Sequence, residues 1–438
     1  MLPRLSISTR INCFMPTAIH VYLRFFMAML FSVSAASAFA QRHPNYTESA
    51  VGTYTLPSPF INSHNKKVKT RADWNGRCRS EILALFKENM YGQFPGPSSQ
   101  LHFAVQKIDS NAVEGLAISK QVRIYLAAGD QGPYIDLLLY VPSHATKPVP
   151  VFTGFNFKGN QCVSTDQNII ISQNYLDLLH LKNENATPVR GDQEKCWPVK
   201  TLMEHGYGLA TAYYGDLERD DPDGWKTGIR STLAGQLQLK DTDWCAMGAW
   251  AWGLCRILDY LETDKAVDAT KAIVIGHSRL GKIALWAGAN DIRFAAIISN
   301  NSGEGGAALT RRNYGQTLKG MTTSFPHWYI SKYKSYADDV NALPIDQHML
   351  LALLAPRPLY VASATNDRWS DPYGEFLSAK NAEPVYALFG KKGMETDTMP
   401  APDKSVGNTI RYHIRTGDHD IVHFDWMQYL QFADDLLK

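Results

Sequence analysis

Residues 273–282 read Ile-Val-Ile-Gly-His-Ser-Arg-Leu-Gly-Lys and continue as Ile-Ala-Leu-Trp-Ala. Three β-branched residues suit a buried strand, and the run from Lys282 suits a helix. Between them a single serine, Ser278, sits in a glycine-flanked turn. The second glycine falls one position later than in G-x-S-x-G. A strand, a sharp turn carrying one serine, then a helix is the layout of a nucleophile elbow. Gly276 and Gly281 let the chain turn tightly and let helix and strand pack closely. The serine is then exposed at the tip, beside the positive end of the helix. G-x-S by itself is common in plain turns. The two cations beside it, Arg279 and Lys282, favour chemistry, because they suit an oxyanion and an acidic substrate.

The rest of the chain alternates strands with helices. A helix is expected over 79–90, stopping at Gly92, and a hairpin over 101–126. Strands are expected at 134–141, 150–157, 206–214, 295–299, 357–363 and 408–414, with a buried helix at 246–261. This pattern predicts an α/β fold: a mostly parallel, doubly wound sheet between two helical layers. Residues 163–195 lack periodicity and read as an insertion loop near a site. Residues 215–229 read as an acidic loop.

Composition limits the partners. Among 438 residues the formal net charge is +2, with no basic tail, which argues against nucleic acid. Arg4, Arg10 and Arg24 precede an apolar run at 25–33, and Ala38-Phe39-Ala40 precedes Gln41. Residues 1–40 therefore read as a secretory signal peptide, and the protein as periplasmic or released. The apolar run is short for a bilayer span, and no later segment reads as one, so no membrane partner is expected. Residues 41–438 read as one catalytic domain and a monomer. Five cysteines follow the leader; Cys162 and Cys196 bracket the insertion and are placed to bridge it. No cysteine or histidine cluster calls for a metal or cofactor.

In a sheet of this type the chain order is serine, acid, histidine. His419, in Thr416-Gly-Asp-His-Asp420, directly follows the last strand and is the expected general base, with His423 its rival. His413 alternates within a strand and His348 lies in a helical pattern, so both read as packed. One candidate acid is Asp367, after the strand 357–363. The other is Glu304, the sole carboxylate of Asn300-Asn-Ser-Gly-Glu-Gly-Gly306, whose alternative is a solvated loop charge. Asp371 and Glu375 read as capping or solvating the next helix.

Gly276-His-Ser-Arg-Leu-Gly-Lys282 resembles the G-[CH]-S-R-x-G-K signature of the glucuronoyl esterases, carbohydrate esterase family 15. His277 in place of cysteine resembles the bacterial branch. Gly248-Ala-Trp-Ala-Trp-Gly253, Ser302-Gly-Glu-Gly-Gly306, Ala355-Pro-Arg-Pro358 and Tyr412-His-Ile-Arg-Thr-Gly-Asp-His419 are similar to further family blocks. The resemblance implies an α/β-hydrolase fold. It also implies hydrolysis of esters between (4-O-methyl-)glucuronic acid of glucuronoxylan and lignin alcohols. It gives Ser278 the attack, His419 the proton transfer and Arg279 the oxyanion hole. Lys282 would bond sugar hydroxyls and Trp369 would contact the uronate. Two departures stand out. Fungal members place a triad glutamate immediately before Ser-Gly-x-Gly-Gly, and here that residue is Asn301. The acid is then Asp367, with Glu304 in reserve. The family often has glutamate in the block that here reads Tyr314-Gly-Gln316, so Gln316 meets the sugar without charge. The alternatives are another carbohydrate acyl esterase, such as one acting on acetyl-xylan, and an inactive carbohydrate-binding relative.

Overall fold

Ten strands among the described residues hydrogen-bond into one sheet, in the order β1-β2-β3-β5-β4-β6-β7-β8-β10-β9. They are β1 (His102–Ala112), β2 (Ala117–Tyr125), β3 (Tyr134–Pro142), β4 (Val149–Asn156) and β5 (Gly208–Tyr213). Then follow β6 (Val267–His277), β7 (Ala296–Asn300), β8 (Leu359–Ala364), β9 (Lys404–Gly407) and β10 (Ile410–Arg415). The computed structural model describes residues 44–60, 67–97, 99–129, 132–238 and 243–437. From Asn45 onward they form a compact unit. The expected signal peptide lies outside the described residues.

Neighbours from β5 through β4, β6, β7 and β8 to β10 run parallel. β1, β2 and β3 form an antiparallel meander joined through β3 to β5. β5, β7 and β8 are buried along their whole length, as strands covered on both faces must be. Side chains of β6 alternate between the two faces. Ala272 and Val274 join the core formed with the helices Ala246–Leu261, Arg279–Asn290 and Pro372–Ala387. Ile273 and Ile275 join the opposite core, formed with Val199–Glu204 and His423–Leu437. The expected mostly parallel sheet between two helical layers is what forms.

Four expectations change in detail. β9 escapes sequence reading because it is a short, exposed edge strand, Lys-Ser-Val-Gly, with no apolar alternation. The helix expected over 79–90 begins earlier, at Arg71, and runs through π-helical turns at Trp74–Cys78 and Lys87–Tyr91 on either side of Arg79–Phe86. It stops at Gly92, as expected, with φ 76°. The insertion at 163–195 contains a helix, Gln173–Lys182, capped by the Ser172 hydroxyl, which accepts from the Tyr175 N–H at 3.2 Å. Its weak amphipathic pattern hid it from a periodicity argument. Cys162 and Cys196 are both free. Their sulfurs turn to different acceptors, Gln193 Oε1 at 3.3 Å and Asp420 Oδ1 at 3.7 Å. No described helix is long and apolar enough to cross a membrane.

Register sets the geometry of the site. His277 lies opposite Asn300, and Asn300 opposite Ala362, so β6, β7 and β8 end side by side. The segments leaving the carboxyl ends of β6, β7, β8 and β10 carry Ser278, Asn301, Asp367 and His419 respectively. That edge is where open α/β sheets bind ligands. Gly276 allows the turn: a Cβ there would lie 2.0 Å from the Leu280 carbonyl oxygen. Gly276→Ala is expected to destabilise the protein by about 1–3 kcal/mol through overpacking. A lowered urea midpoint at unchanged slope measures this.

Candidate active site

Ser278 adopts φ 58° and ψ −129°, a conformation that costs a non-glycine residue roughly 1–3 kcal/mol. Its N–H donates to the Asn300 carbonyl at 2.8 Å, and its carbonyl accepts from the Gly281 N–H at 2.9 Å. Arg279 opens the following helix, so its N–H has no intrahelical acceptor.

His419 and Asp367 meet across the loops after β10 and β8. His419 Nδ1 lies 2.6 Å from Asp367 Oδ2. That bond fixes the ring and leaves Nε2 as the basic nitrogen. Asn301 Nδ2 donates to the same oxygen at 2.8 Å, and the Ser370 N–H to Oδ1 at 3.3 Å. Burial pushes the Asp367 carboxyl up, but the His419 bond and charge and the Asn301 and Ser370 bonds outweigh it. The group stays below its ordinary value. The His277 ring sits 4.6 Å from that of His419 and is pushed down to about 4 by burial and by His419. It is therefore neutral. Its Nδ1 pairs with Asn300 Oδ1 at 2.6 Å, while Asn300 Nδ2 donates to Tyr429 OH at 2.8 Å. His413 and His348 are buried, bonded to Asp425 and to the Pro57 carbonyl. His423 opens the last helix, exposed.

Two further residues were not singled out as functional from sequence. Asp220, inside the acidic loop, pairs with the Arg279 guanidinium. It also accepts from His327 Nε2 at 2.8 Å and Trp328 Nε1 at 2.7 Å. Burial opposes its charge, but these bonds and Arg279 keep its carboxyl below the ordinary range. The guanidinium lies 5.0 Å from the Trp328 ring and 5.9 Å from Phe157 and Phe325. Asn301 is the second, since its amide orients Asp367. The only sequence signal for it was its place where fungal relatives carry glutamate.

Lys282 supports the loop after β7. It is buried, and its ammonium donates to the Ser302 carbonyl, to the Glu304 carbonyl at 2.5 Å and to Gln316 Oε1 at 3.2 Å. Three donors meet three internal acceptors, so Lys282 is a strut under the loop after β7. Glu304 is likewise no solvated charge. It is buried, accepts from Tyr333 OH at 2.5 Å and Thr310 Oγ1 at 3.2 Å, and burial raises its carboxyl. Neither bond is to His419. Asp371 caps the next helix as expected, accepting from the Gly374 N–H. Glu375 is buried rather than solvated, and it accepts from the Gly303 N–H at 2.9 Å and Ser363 Oγ at 2.5 Å. Gln316 is buried; its N–H bonds the carbonyl of Trp369, whose indole is exposed.

Ser278, Arg279 and His419 line a cavity of about 250 Å³. Phe155, Phe157, Trp197, Ile421 and Trp426 give it apolar walls, and Gln193 and Cys196 close one side. The end of the insertion thus borders the serine.

A family model described as glucuronyl esterase of fungi matches residues 236–390. A curated relative, carbohydrate esterase MZ0003 from an unknown prokaryotic organism, is 43% identical, covering 89% of this chain and 91% of the relative. A solved glucuronoyl esterase from Solibacter usitatus is 44% identical at a TM-score of 0.83, covering 90% of this chain and all of that one. A solved structure described as a promiscuous CE15 esterase from a marine bacterial metagenome is 41% identical at a TM-score of 0.82, with 90% and 100% covered. The chain belongs to the glucuronoyl esterases of carbohydrate esterase family 15. It is a carboxylic ester hydrolase with the α/β-hydrolase fold.

For a glucuronoyl esterase, the departure at Asn301 now has a physical consequence. The neutral amide donates to Asp367, whereas a carboxylate there would repel it. Asp367→Asn is expected to lower kcat on benzyl glucuronate by about 10³-fold or more, and Glu304→Gln by far less. Steady-state rates of the two variants decide which carboxylate serves His419.

Asp367 also couples stability to pH. Its carboxyl is depressed in the folded protein, relative to about 3.9 in an unfolded chain. The stability it supplies is present above that pH and is lost as pH falls through the lower folded value. The stability deficit of Asp367→Asn, measured by urea unfolding, is therefore expected to be full at neutral pH and to shrink in acid.

Proposed function

We propose that this chain is a secreted glucuronoyl esterase. It would cleave the ester between (4-O-methyl-)glucuronic acid of glucuronoxylan and a lignin alcohol through Ser278, His419 and Asp367. The observation that carries the reading is the 2.6 Å Asp367–His419 bond beside a serine held in a left-handed elbow.

In this reading His419 Nε2 takes the Ser278 proton as Oγ attacks the uronate carbonyl carbon. Negative charge moves to the carbonyl oxygen, met by the Arg279 N–H and its guanidinium. Asp220 holds that guanidinium in place. Collapse of the intermediate breaks the bond to the alcohol, which leaves with the proton from His419. Water then attacks the acyl-serine, giving its proton to the same nitrogen, and Ser278 is regenerated with release of the free uronate. His277, neutral beside the ring, adds no second charge when His419 becomes imidazolium. The aromatic walls formed by Phe157, Trp197 and Trp426 suit an aryl or benzylic alcohol. Trp369 and Gln316 stand for the sugar.

A broader ester range is the second reading, favoured by the marine relative described as promiscuous. Assays on benzyl glucuronate and p-nitrophenyl acetate separate the two. Efficient turnover of the first is expected; turnover of the acetate alone would remove the uronate assignment. Ser278→Ala is expected to abolish both, and retained activity would refute the elbow mechanism.

A further inference from the structure

The most exposed tryptophan among the described residues lies in an aromatic neighbourhood. Trp369, Tyr373 and Tyr46 keep 43%, 40% and 36% of their surface in solvent. Large exposed rings gathered in one place mark a binding surface. A fourth ring, Tyr314, meets Tyr46 edge-on at 6.1 Å. Two arginines knit the group. The Arg368 guanidinium lies 5.1 Å from the Tyr46 ring; its Nε donates to Tyr314 OH at 3.1 Å and its Nη2 to the Tyr46 carbonyl. Arg312 lies 5.0 Å from Tyr373 and 5.8 Å from Tyr314.

Tyr46 belongs to a segment strapped onto this rim. The Gly315 N–H donates to the Asn45 carbonyl at 2.8 Å, and Glu48 pairs with Arg312 at 2.7 Å. The rim is continuous with the catalytic loop. Asp367, Arg368 and Trp369 are consecutive, and the Gln316 N–H reaches the Trp369 carbonyl at 2.8 Å. The patch therefore begins one residue from the acid that orients His419.

We infer that this rim is a shelf for the neutral xylose chain that bears the esterified uronate. The inference rests on the glucuronoyl ester reading and extends it from the uronate to the polymer. A uronate is a branch, so its carrier chain has to leave the pocket on the side away from the departing alcohol. In this reading the cavity at Phe157 and Trp426 takes the alcohol, and Trp369 lies outside its lining. Tyrosine rings offer an apolar face to sugar C–H groups and a hydroxyl to sugar hydroxyls. The exposed Arg368 guanidinium adds donors for hydroxyls and for free uronate carboxylates further along the chain, whereas Arg312 is buried and paired with Glu48 and Asp371. A protein partner is the poorer fit, because rings broken up by two cations form no continuous apolar centre.

Tyr46→Ala and Tyr373→Ala test the shelf from two different elements. Each is expected to lower kcat/KM about five- to tenfold, through KM, on an esterified glucuronoxylo-oligosaccharide. Turnover of benzyl glucuronate, which carries no xylose, is expected to stay unchanged. Equal losses on both substrates would make the rings mere packing for the strap and overturn the proposal, as would no loss on the oligosaccharide. A second measurement stands apart from catalysis. Ser278→Ala protein is expected to be retarded in a glucuronoxylan gel, and Ser278→Ala/Tyr373→Ala less so. Equal migration of the two overturns the shelf, whereas failure of the parent protein on benzyl glucuronate overturns only the ester assignment.

Discussion

The left-handed backbone at Ser278 is the constraint on which the site depends. L-residues avoid that conformation, so the surroundings have to hold it. Gly276 supplies room against the Leu280 carbonyl, and the Asn300 carbonyl receives the Ser278 N–H. One helical turn on, Lys282 reaches back beneath the loop after β7 and fixes the Ser302 and Glu304 carbonyls. That loop begins with Asn301, whose amide lands on Asp367. Ser278 and Asp367 are thus linked through the sheet edge and through one buried ammonium. Burying that ammonium is costly, and its three acceptors offset the cost.

Several carboxylates surround this frame, and environment separates their roles. Burial raises Glu304 and pushes Glu375 up to about 8, and both serve as struts that position the loop after β7. Asp367 is also buried but receives hydrogen bonds from His419, Asn301 and the Ser370 N–H, which hold its carboxyl below its ordinary value. A charged acid is what stabilises an imidazolium, and neutral ones are what an apolar interior tolerates. Asp220 follows the same logic as Asp367 on the other side of the serine, where its charge holds Arg279.

Much of this was legible from residues. The β-branched run, the glycine spacing and the cations around Ser278 specify local geometry that neighbours in sequence impose. The buried strands and the helix Ala246–Leu261 were legible because residues facing apolar layers must themselves be apolar. His419 and Asp367 were legible by chain order, since their loops must follow late parallel strands. The helix Gln173–Lys182, the edge strand Lys404–Gly407 and the burial of Glu304 and Glu375 were not. A short polar edge and a weakly amphipathic helix carry no strong period, and a carboxylate in a glycine-rich loop reads the same whether buried or solvated.

The sequence by itself determined the strand–turn–helix layout around Ser278, the order of the strands along the chain and which side chains follow the late strands. Only the tertiary structure decided which carboxylate reaches His419, that Lys282 serves the loop, that Asp220 serves Arg279, and that Tyr46 joins Trp369 and Tyr373. These are pairings between segments tens to hundreds of residues apart. They depend on strand register and loop direction, and no local pattern of residue types encodes either one.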